Sequence, residues 1–369
     1  MLRLRSLTAI PVSVPLKKPV KMAGITLSTA DNVIVRAEDD TGAVGWGESA
    51  SAPTMNGETR EGMVAAIRHM TARLEGAEVT GVEGLPALIG PAIQFNPGAK
   101  AAVEIALLDL IGQRTGQPLH ALLGGRVRER AAALVFIAGG TLEQEVAEAQ
   151  RLVAEGVVAL KVKIGILGVE ADLARCAAVR AAVGAGIRIS ADANMGYTRD
   201  EALAFCARAA ETGIDFVEQP VFEEDLETMA ACAARCGVPV AADEGLHSID
   251  LIRRHHETGA AAGGSLKTIK LGGALAVMEA GRLMQSLGMH VNLAGKTAET
   301  GIASAAIAHL AVALPQVDWD TSMTAPYLAA DIVTAPPVIR DGHIAPPEGP
   351  GLGIRVDGAQ LARFITARG

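Results

Sequence analysis

Over residues 1–50 the apolar positions alternate or gather in β-branched runs, LTAIPVSVPL and NVIVRAEDDTGAVGWGES, the second interrupted by DDTG, a turn of the hairpin kind. The pattern predicts an antiparallel sheet, with KKPVKMAGITLSTAD as a polar, glycine-bearing loop between the two runs. From about Glu58 to Leu123 the spacing turns helical, as in EGMVAAIRHMTARL and AKAAVEIALLDLIGQRTG, the latter ended by Gly116 and Pro118. After LLGG, strand-like and helix-like segments alternate: VFIAGG, ALKVKIG, RISADAN, DFVEQP, VPVAADE, SLKTIKLGG, MHVNLAG and QVDWDTSM carry the strand pattern. Eight strand candidates with seven helices between them predict an α/β fold, a modified TIM barrel of the (β/α)7β kind whose last helix is missing or replaced. The tail ADIVTAPPVIRDGHIAPPEGPGLGIRVD is rich in proline and glycine and is expected to pack back on the N-terminal sheet. The expected division is an α+β capping domain over residues 1–125, the barrel over 126–325 and a C-terminal segment over 326–369.

Five charged residues recur one barrel strand apart, each where a strand gives way to its loop: Lys163, Asp192, Glu218, Asp243 and Lys267. Their separations are 29, 26, 25 and 24 residues, about what a strand, a crossover helix and two loops require. A parallel barrel gathers such residues at one end, where barrels of this kind place their active sites. Asp192, Glu218 and Asp243 offer only hard oxygen donors, which suit Mg²⁺, or Mn²⁺, and not a thiolate-preferring ion. A cation so held keeps positions for a substrate carboxylate, and can stabilise the enolate formed when the α-proton leaves. Lys161 shares a strand face with Lys163, and two neighbouring ammonium groups are expected to bring the pair toward a pKa useful for base catalysis. Lys267, four strands away, is placed to reach the opposite face of the same carbon. One acidic residue at a strand end is more often a helix cap than a ligand; five such residues on five strands are a pattern that capping does not explain.

Length and composition change the picture by exclusion. At 369 residues the chain exceeds a bare barrel and leaves material for a second domain, and half its residues are apolar. A net charge of −8 without a basic run argues against nucleic acid or an anionic membrane as partner. No long apolar stretch is present and the N-terminus does not read as a signal peptide, so a cytoplasmic protein is expected. The expected partner is a small-molecule carboxylate, met by the charged strand ends, and a homo-oligomer is the expected assembly. Cys176, Cys206, Cys232 and Cys236 all fall in alanine-rich helical stretches and read as packed thiols rather than a disulfide framework. His255, His256, His290, His309 and His343 lack metal-ligand spacing, and the glycines of GGALAVMEAG and LLGG form no phosphate-binding fingerprint.

The motifs together resemble the enolase superfamily, in its muconate lactonising enzyme subgroup (the mandelate racemase/muconate lactonising enzyme family), over nearly the full length. AAVEIALLDLIGQRTGQPLHALLGG is similar to the capping-domain helix signature, and KVKIG, DAN, EQP, ADE and LKTIKLGG follow the strand-end motifs in order. The resemblance implies Lys163 as one acid/base with Lys161 as its partner, and Asp192, Glu218 and Asp243 as Mg²⁺ ligands. It implies Lys267 as the catalytic or electrostatic lysine on the other face, Asn194 and Glu244 beside the metal, and Glu299 as the acidic residue ending the seventh strand. The capping domain would lay loops around Met22–Thr29 and Met55–Thr59 over the mouth, with Met22, Ile25 and Met55 as an adaptable apolar lid.

The subgroup includes muconate cycloisomerases, succinylbenzoate synthases, N-acylamino acid racemases and dipeptide epimerases, so the shared chemistry does not name the substrate. The tail from APYLAADIV onward, followed by QLARF, is similar to muconate cycloisomerases, and a muconate-type cycloisomerase is the leading expectation. A racemase or epimerase of an N-acylamino acid or dipeptide is the alternative, followed by a hydroxy-acid or acid-sugar dehydratase; an inactive barrel that only binds a carboxylate is the reading from another class. GKTAETG places Lys296 where a small neutral residue is expected. VDWDTSM places Asp318 and Asp320 at the eighth strand, where a DxD resembles the ammonium-binding motif of dipeptide epimerases, although a pair of capped loop carboxylates is the favoured reading.

Overall fold

The computed structural model describes residues 2–22 and 25–366. A four-stranded antiparallel sheet opens the chain, built mainly from strands Leu2–Met22, Ile25–Asp39 and Val44–Ala50. The DDTG turn joins the last two: buried Asp39 accepts hydrogen bonds from Thr41 N (2.9 Å), Thr41 Oγ1 (2.7 Å) and Ala43 N (2.9 Å). The expected loop between the first two runs is instead a continuation of both strands, pairing Val20 with Leu27 and Met22 with Ile25 after an irregularity that follows Pro15. Two prolines remove donors there, and the far strand alternates exposed Thr26 and Ser28 with half-buried Leu27 and Thr29, a period of two carried largely by polar residues. The expected lid segment Met22–Thr29 includes Ala23 and Gly24, which lie outside the described residues, as do the side chains of Met22 and Ile25.

Helix Pro97–Thr115 lies flat on strand Val44–Ala50 because that strand carries glycine at the contact. A Cβ at Gly47 would stand 2.0 Å from the Ala102 carbonyl oxygen, so any larger residue would push the helix away. Thr59 caps helix Arg60–Leu74 by accepting from Gly62 N, and buried Glu58 accepts from Gly98 N (2.6 Å) and Ala99 N (3.0 Å) at the start of the long helix. The C-terminal stretch returns to this sheet: Leu328 bridges Leu16, Ile365 bridges Val12, and helix Gly358–Phe364 packs beside the first strand.

The barrel has eight parallel strands in sequential order: Leu134–Ile137, Ala159–Lys163, Arg188–Asp192, Phe216–Glu218, Val240–Ala242, Gly263–Leu266, His290–Ala294 and Thr321–Ser322. Ala133 pairs with Thr321 and closes the ring. No helix follows the eighth strand before the chain leaves for the N-terminal sheet, where only a short 3-10 turn, Ala325–Tyr327, is found. Trp319 fills the floor, stacked on Phe216 at 4.1 Å and on His290 at 4.7 Å. Among the described residues no helix is long and apolar enough to cross a membrane.

Two buried carboxylates tie the N-terminal sheet and helix to the barrel, each by capping a barrel helix. Glu48 accepts from Thr300 N (2.8 Å), Thr300 Oγ1 (2.6 Å) and Ala303 N (2.9 Å) at the start of helix Gly301–Ala313. Glu104 accepts from Leu275 N (3.0 Å) at the start of helix Ala274–Ser286, seated against Gly273, where a Cβ would collide with its carboxyl group.

Burial outweighs these hydrogen bonds for Glu104 and raises its pKa from 4.5 to about 7. The folded protein therefore keeps a proton that the unfolded chain releases near pH 4.5, so stability declines as pH rises from there to about 7 and is level above. Glu104→Gln keeps an acceptor and is expected to remove that decline, at most roughly 3 kcal/mol. Urea unfolding of both proteins at pH 4.5 and 7.5 measures it; equal pH slopes would clear Glu104 of the effect.

Candidate active site

Parallel register brings the charged residues together. Lys163 pairs with Asp192 and Asp192 with Glu218 across three neighbouring strands, while Asp243 follows the fifth strand and Lys267 follows the sixth. All five are at most 8% exposed, so their charges act in a poorly screened environment. Lys163 Nζ lies 2.6 Å from Asp192 Oδ2 and 2.7 Å from Asn194 Oδ1. Lys161 Nζ lies 2.6 Å from Glu218 Oε2 and 3.6 Å from Asp192 Oδ2. Lys267 pairs with Asp243 Oδ2, and Lys270 holds the other oxygen at 2.7 Å while donating to Ser265 O at 2.8 Å. Asn194 also donates to Glu244 Oε1 at 3.1 Å, and Gln219 Oε1 accepts from Asp243 N at 2.8 Å.

Several loop residues here adopt positive φ without being glycine: Asn194 (43°), Met195 (64°), Gln219 (37°) and Ala298 (76°). Such backbone is costly and persists where surrounding contacts impose it, as the hydrogen bonds of Asn194 and Gln219 do at two strand ends.

Electrostatics correct one expectation. Burial pulls the Lys161 ammonium down, but the charges of Glu218, Asp192 and Asp243 outweigh it and raise its pKa above the ordinary lysine range. By themselves, the charges of Glu218, Asp192 and Asp243 outweigh any effect of Lys163 on Lys161. Asp192 is lowered: burial raises it, and Lys163 and Lys161 more than reverse this. Glu218 goes the other way, burial prevailing over Lys161. Glu244 is raised to about 7 by burial and then by Asp243 and Asp192.

Among the described residues no three carboxylate, thiol or imidazole groups stand ready-arranged around a metal, since Asp192, Glu218 and Asp243 each face an ammonium. Their chemistry fits a divalent cation all the same. They are three carboxylates at successive strand ends with no softer donor beside them. Glu218 Oε2, fully buried, accepts no directed hydrogen bond despite the close approach of Lys161.

Lys161, Lys163, Asp192, Asn194, Asp243, Glu244, Lys267 and Lys296 line one pocket at this end of the barrel, with Met55 of the capping domain over it. Glu218 and Glu299 lie buried behind the lining. Asp318 and Asp320 are not brought to the site. They stand on the amino side of the eighth strand, where Asp318 Oδ2 meets His290 Nδ1 at 2.5 Å and Asp320 Oδ2 meets Arg188 Nη1 at 2.6 Å. His290 and Arg188 begin their strands, so both aspartates belong to the floor. The short strand starts at Thr321, later than the alternation of VDWDTSM suggests, and the positive φ of Asp320 breaks the strand pattern before it.

Sequence reasoning missed Phe136, whose ring centroid is 6.0 Å from Lys163 Nζ and which stacks on Tyr327 at 4.2 Å. Only its position at a strand end could have pointed to it. Lys270 was legible in principle, one helical turn after Lys267 in LKTIK. Ser322 reaches the pocket from a strand of two residues, too short to leave a pattern, and Thr324 from the turn just beyond it.

Residues 5–124 match the family described as mandelate racemase/muconate lactonizing enzyme, N-terminal domain, and residues 144–360 match the family described as enolase C-terminal domain-like. Chloromuconate cycloisomerase from Cupriavidus pinatubonensis is 31% identical over 361 residues, covering 96% of this chain and 97% of the relative. L-Ala-D/L-Glu epimerase from Bacillus subtilis is 31% identical over 349 residues, covering 93% and 94%. The structure of muconate lactonizing enzyme from Pseudomonas fluorescens complexed with muconolactone superimposes with a TM-score of 0.95 at 30% identity, covering 99% of this chain and 100% of that one.

Placement of Asp320 on the floor has a measurable consequence. Asp320→Asn is expected to lower unfolding stability by about 1 kcal/mol through its pair with Arg188, and to leave kcat/KM within about twofold. A hundredfold loss of kcat/KM would return this aspartate to the site.

Proposed function

The chain belongs to the mandelate racemase/muconate lactonizing enzyme family and is an isomerase of the enolase superfamily, and from that premise we propose that Lys163 and Lys267 move protons at the carbon beside a substrate carboxylate. Asp192, Glu218 and Asp243 would hold the divalent cation, Mg²⁺ or Mn²⁺. Bound there, it supplies positive charge beside the substrate carboxylate, where the enolate develops. The single observation that carries the reading is the opposition of two lysines, each pinned on the carboxylate of an adjoining strand, on the second and sixth of eight barrel strands.

The leading activity is a muconate-type cycloisomerisation. In the lactonising direction a carboxylate oxygen of the substrate bonds to the alkene, and the electron pair of that double bond moves onto the carbon α to the other carboxylate. One ammonium, Lys163 Nζ or Lys267 Nζ, then gives its proton to that carbon. Asn194, bonded to both Lys163 and Glu244, sets the angle from which the first arrives. Met55 and Phe136 shield the pocket with apolar surface. The same opposition of lysines supports a second reading, racemisation or epimerisation, in which one removes the α-proton as an amine and the other returns a proton to the far face. Similarity to both cycloisomerases and an epimerase accords with a pocket whose acid/base groups serve either outcome.

Chelation is expected to abolish turnover and Mg²⁺ or Mn²⁺ to restore it, while Glu218→Gln weakens metal binding by calorimetry and keeps the circular dichroism of the folded barrel. Undiminished turnover by protein shown to be metal-free would end the metal-dependent reading.

Lys163→Ala and Lys267→Ala are each expected to reduce kcat by about 10²–10⁴. Product made in deuterated water separates the two reactions: one stereospecific deuteron marks cycloisomerisation, and exchange into both enantiomers of one substrate marks racemisation. Near-normal rates in both variants would remove the lysines from the chemistry.

A further inference from the structure

Lys296 is a charged side chain of the pocket lining that the proton-transfer chemistry leaves without a task. It follows the seventh strand in a loop fixed from both sides. Thr324 Oγ1 donates to Lys296 O at 2.8 Å and Gly295 N to Ser322 O at 2.8 Å on the barrel side. Asn32 Nδ2, from the N-terminal sheet, donates to Ala298 O at 2.9 Å. The side chain is 6% exposed and lines the pocket. Lys161, Lys163 and Lys267 all hold carboxylates, whereas the Lys296 ammonium has no ion-pair partner among the described residues.

A buried ammonium without an ion-pair partner is costly, and the charge of Glu299 offsets only part of what burial and Lys267 impose. Glu299, three residues on, keeps one oxygen without any hydrogen bond. Burial and then the charge of Glu48 raise the Glu299 carboxyl to about 8, which leaves it largely protonated at neutral pH. Burial, followed by the charge of Lys267, lowers Lys296 to about 8. An anion arriving beside Lys296 would meet a donor already desolvated and held in place.

We propose that Lys296 receives a second carboxylate of the substrate, distal to the one whose α-carbon reacts, so that the pocket selects dicarboxylates. The assignment rests on the reading above for which carboxylate reacts. Electrostatics support it: Lys296 is a buried ammonium on the pocket lining with no ion-pair partner among the described residues, and a second substrate carboxylate would supply one. Muconates and N-succinylated amino acids carry the second carboxylate. Dipeptides with a free amino group would instead present an ammonium to Lys296, and Asp318 and Asp320 lie too far below to answer it.

The test is the affinity of the Mg²⁺-loaded full chain for adipate and for hexanoate, two six-carbon acids that differ by one carboxylate, measured by titration calorimetry. Wild type is expected to prefer adipate by about thirtyfold, Lys296→Met to reduce the preference to about threefold or less, and Lys296→Arg to retain about tenfold. Equal wild-type affinities, or a preference intact in Lys296→Met, would overturn the assignment. Equal wild-type affinities overturn the assignment without any variant, and Lys296→Gln replaces Lys296→Met should that variant fail to fold. Measuring deuterium exchange into muconolactone, at the carbon beside its free carboxylate, with the same preparations separates the two proposals: adipate preference without that exchange supports Lys296 and sinks the proton-transfer reading, whereas exchange without preference does the reverse.

Discussion

The pocket depends on opposite charges buried together at the ends of parallel strands. Lys161, Lys163, Lys267 and Lys270 are all nearly or wholly inaccessible, and each is tolerable only because Glu218, Asp192 or Asp243 stands within reach. Removing one partner would leave a stranded charge, a far larger penalty than losing a surface pair. The cluster therefore behaves as a unit in which sterics, register and charge are set together. Strand pairing supplies the geometry, since a residue at one strand end has a fixed neighbour on the next.

The remaining loops are held by the same means in a different place. Glu48 closes the start of helix Gly301–Ala313 and also accepts from Asn32, which in turn donates to Ala298 in the loop carrying Lys296. A single carboxylate of the N-terminal sheet thus connects a helix dipole, a capping strand and the seventh-strand loop. Asp109 does similar work on the far side of the long helix, accepting from Trp46 N and Leu352 N, both at 2.8 Å. Both acids accept from backbone amides at the junction, Glu48 from Thr300 N and Ala303 N and Asp109 from Trp46 N and Leu352 N, so each fixes backbone position directly.

Much of this was readable in the sequence because the barrel repeats. ALKVKIG, RISADAN and DFVEQP each show a buried strand ending in charge, and the repeat at near-constant spacing predicts that the charges converge. Features that do not repeat were harder to read. The extension of the first hairpin through Thr26 and Ser28 is hidden because its inward positions are only partly apolar. The two aspartates of VDWDTSM were placed at the wrong end because a two-residue strand gives no register, and Trp319 between them turns inward to stack on Phe216. Glu48 and Glu104 carry no local signal at all, since their partners lie 252 and 171 residues away in the chain.

Anchoring of the N-terminal sheet by Glu48 and Glu104 bears on how fast the pocket can exchange its contents. With two helix starts fastened across the contact, the capping region cannot swing away as a rigid body without breaking several buried hydrogen bonds at once. Access then falls to the loop around Met55, which overlies the pocket and is tied to the barrel by a further hydrogen bond, from Asn56 Nδ2 to Ile269 O at 3.1 Å. Loop motions of this size run on nanosecond to microsecond timescales, whereas whole-domain hinges run to milliseconds. Traffic through the mouth is thereby uncoupled from global opening, and the residence time of product is set by how Met55 and its neighbours pack rather than by the strength of the junction beneath them.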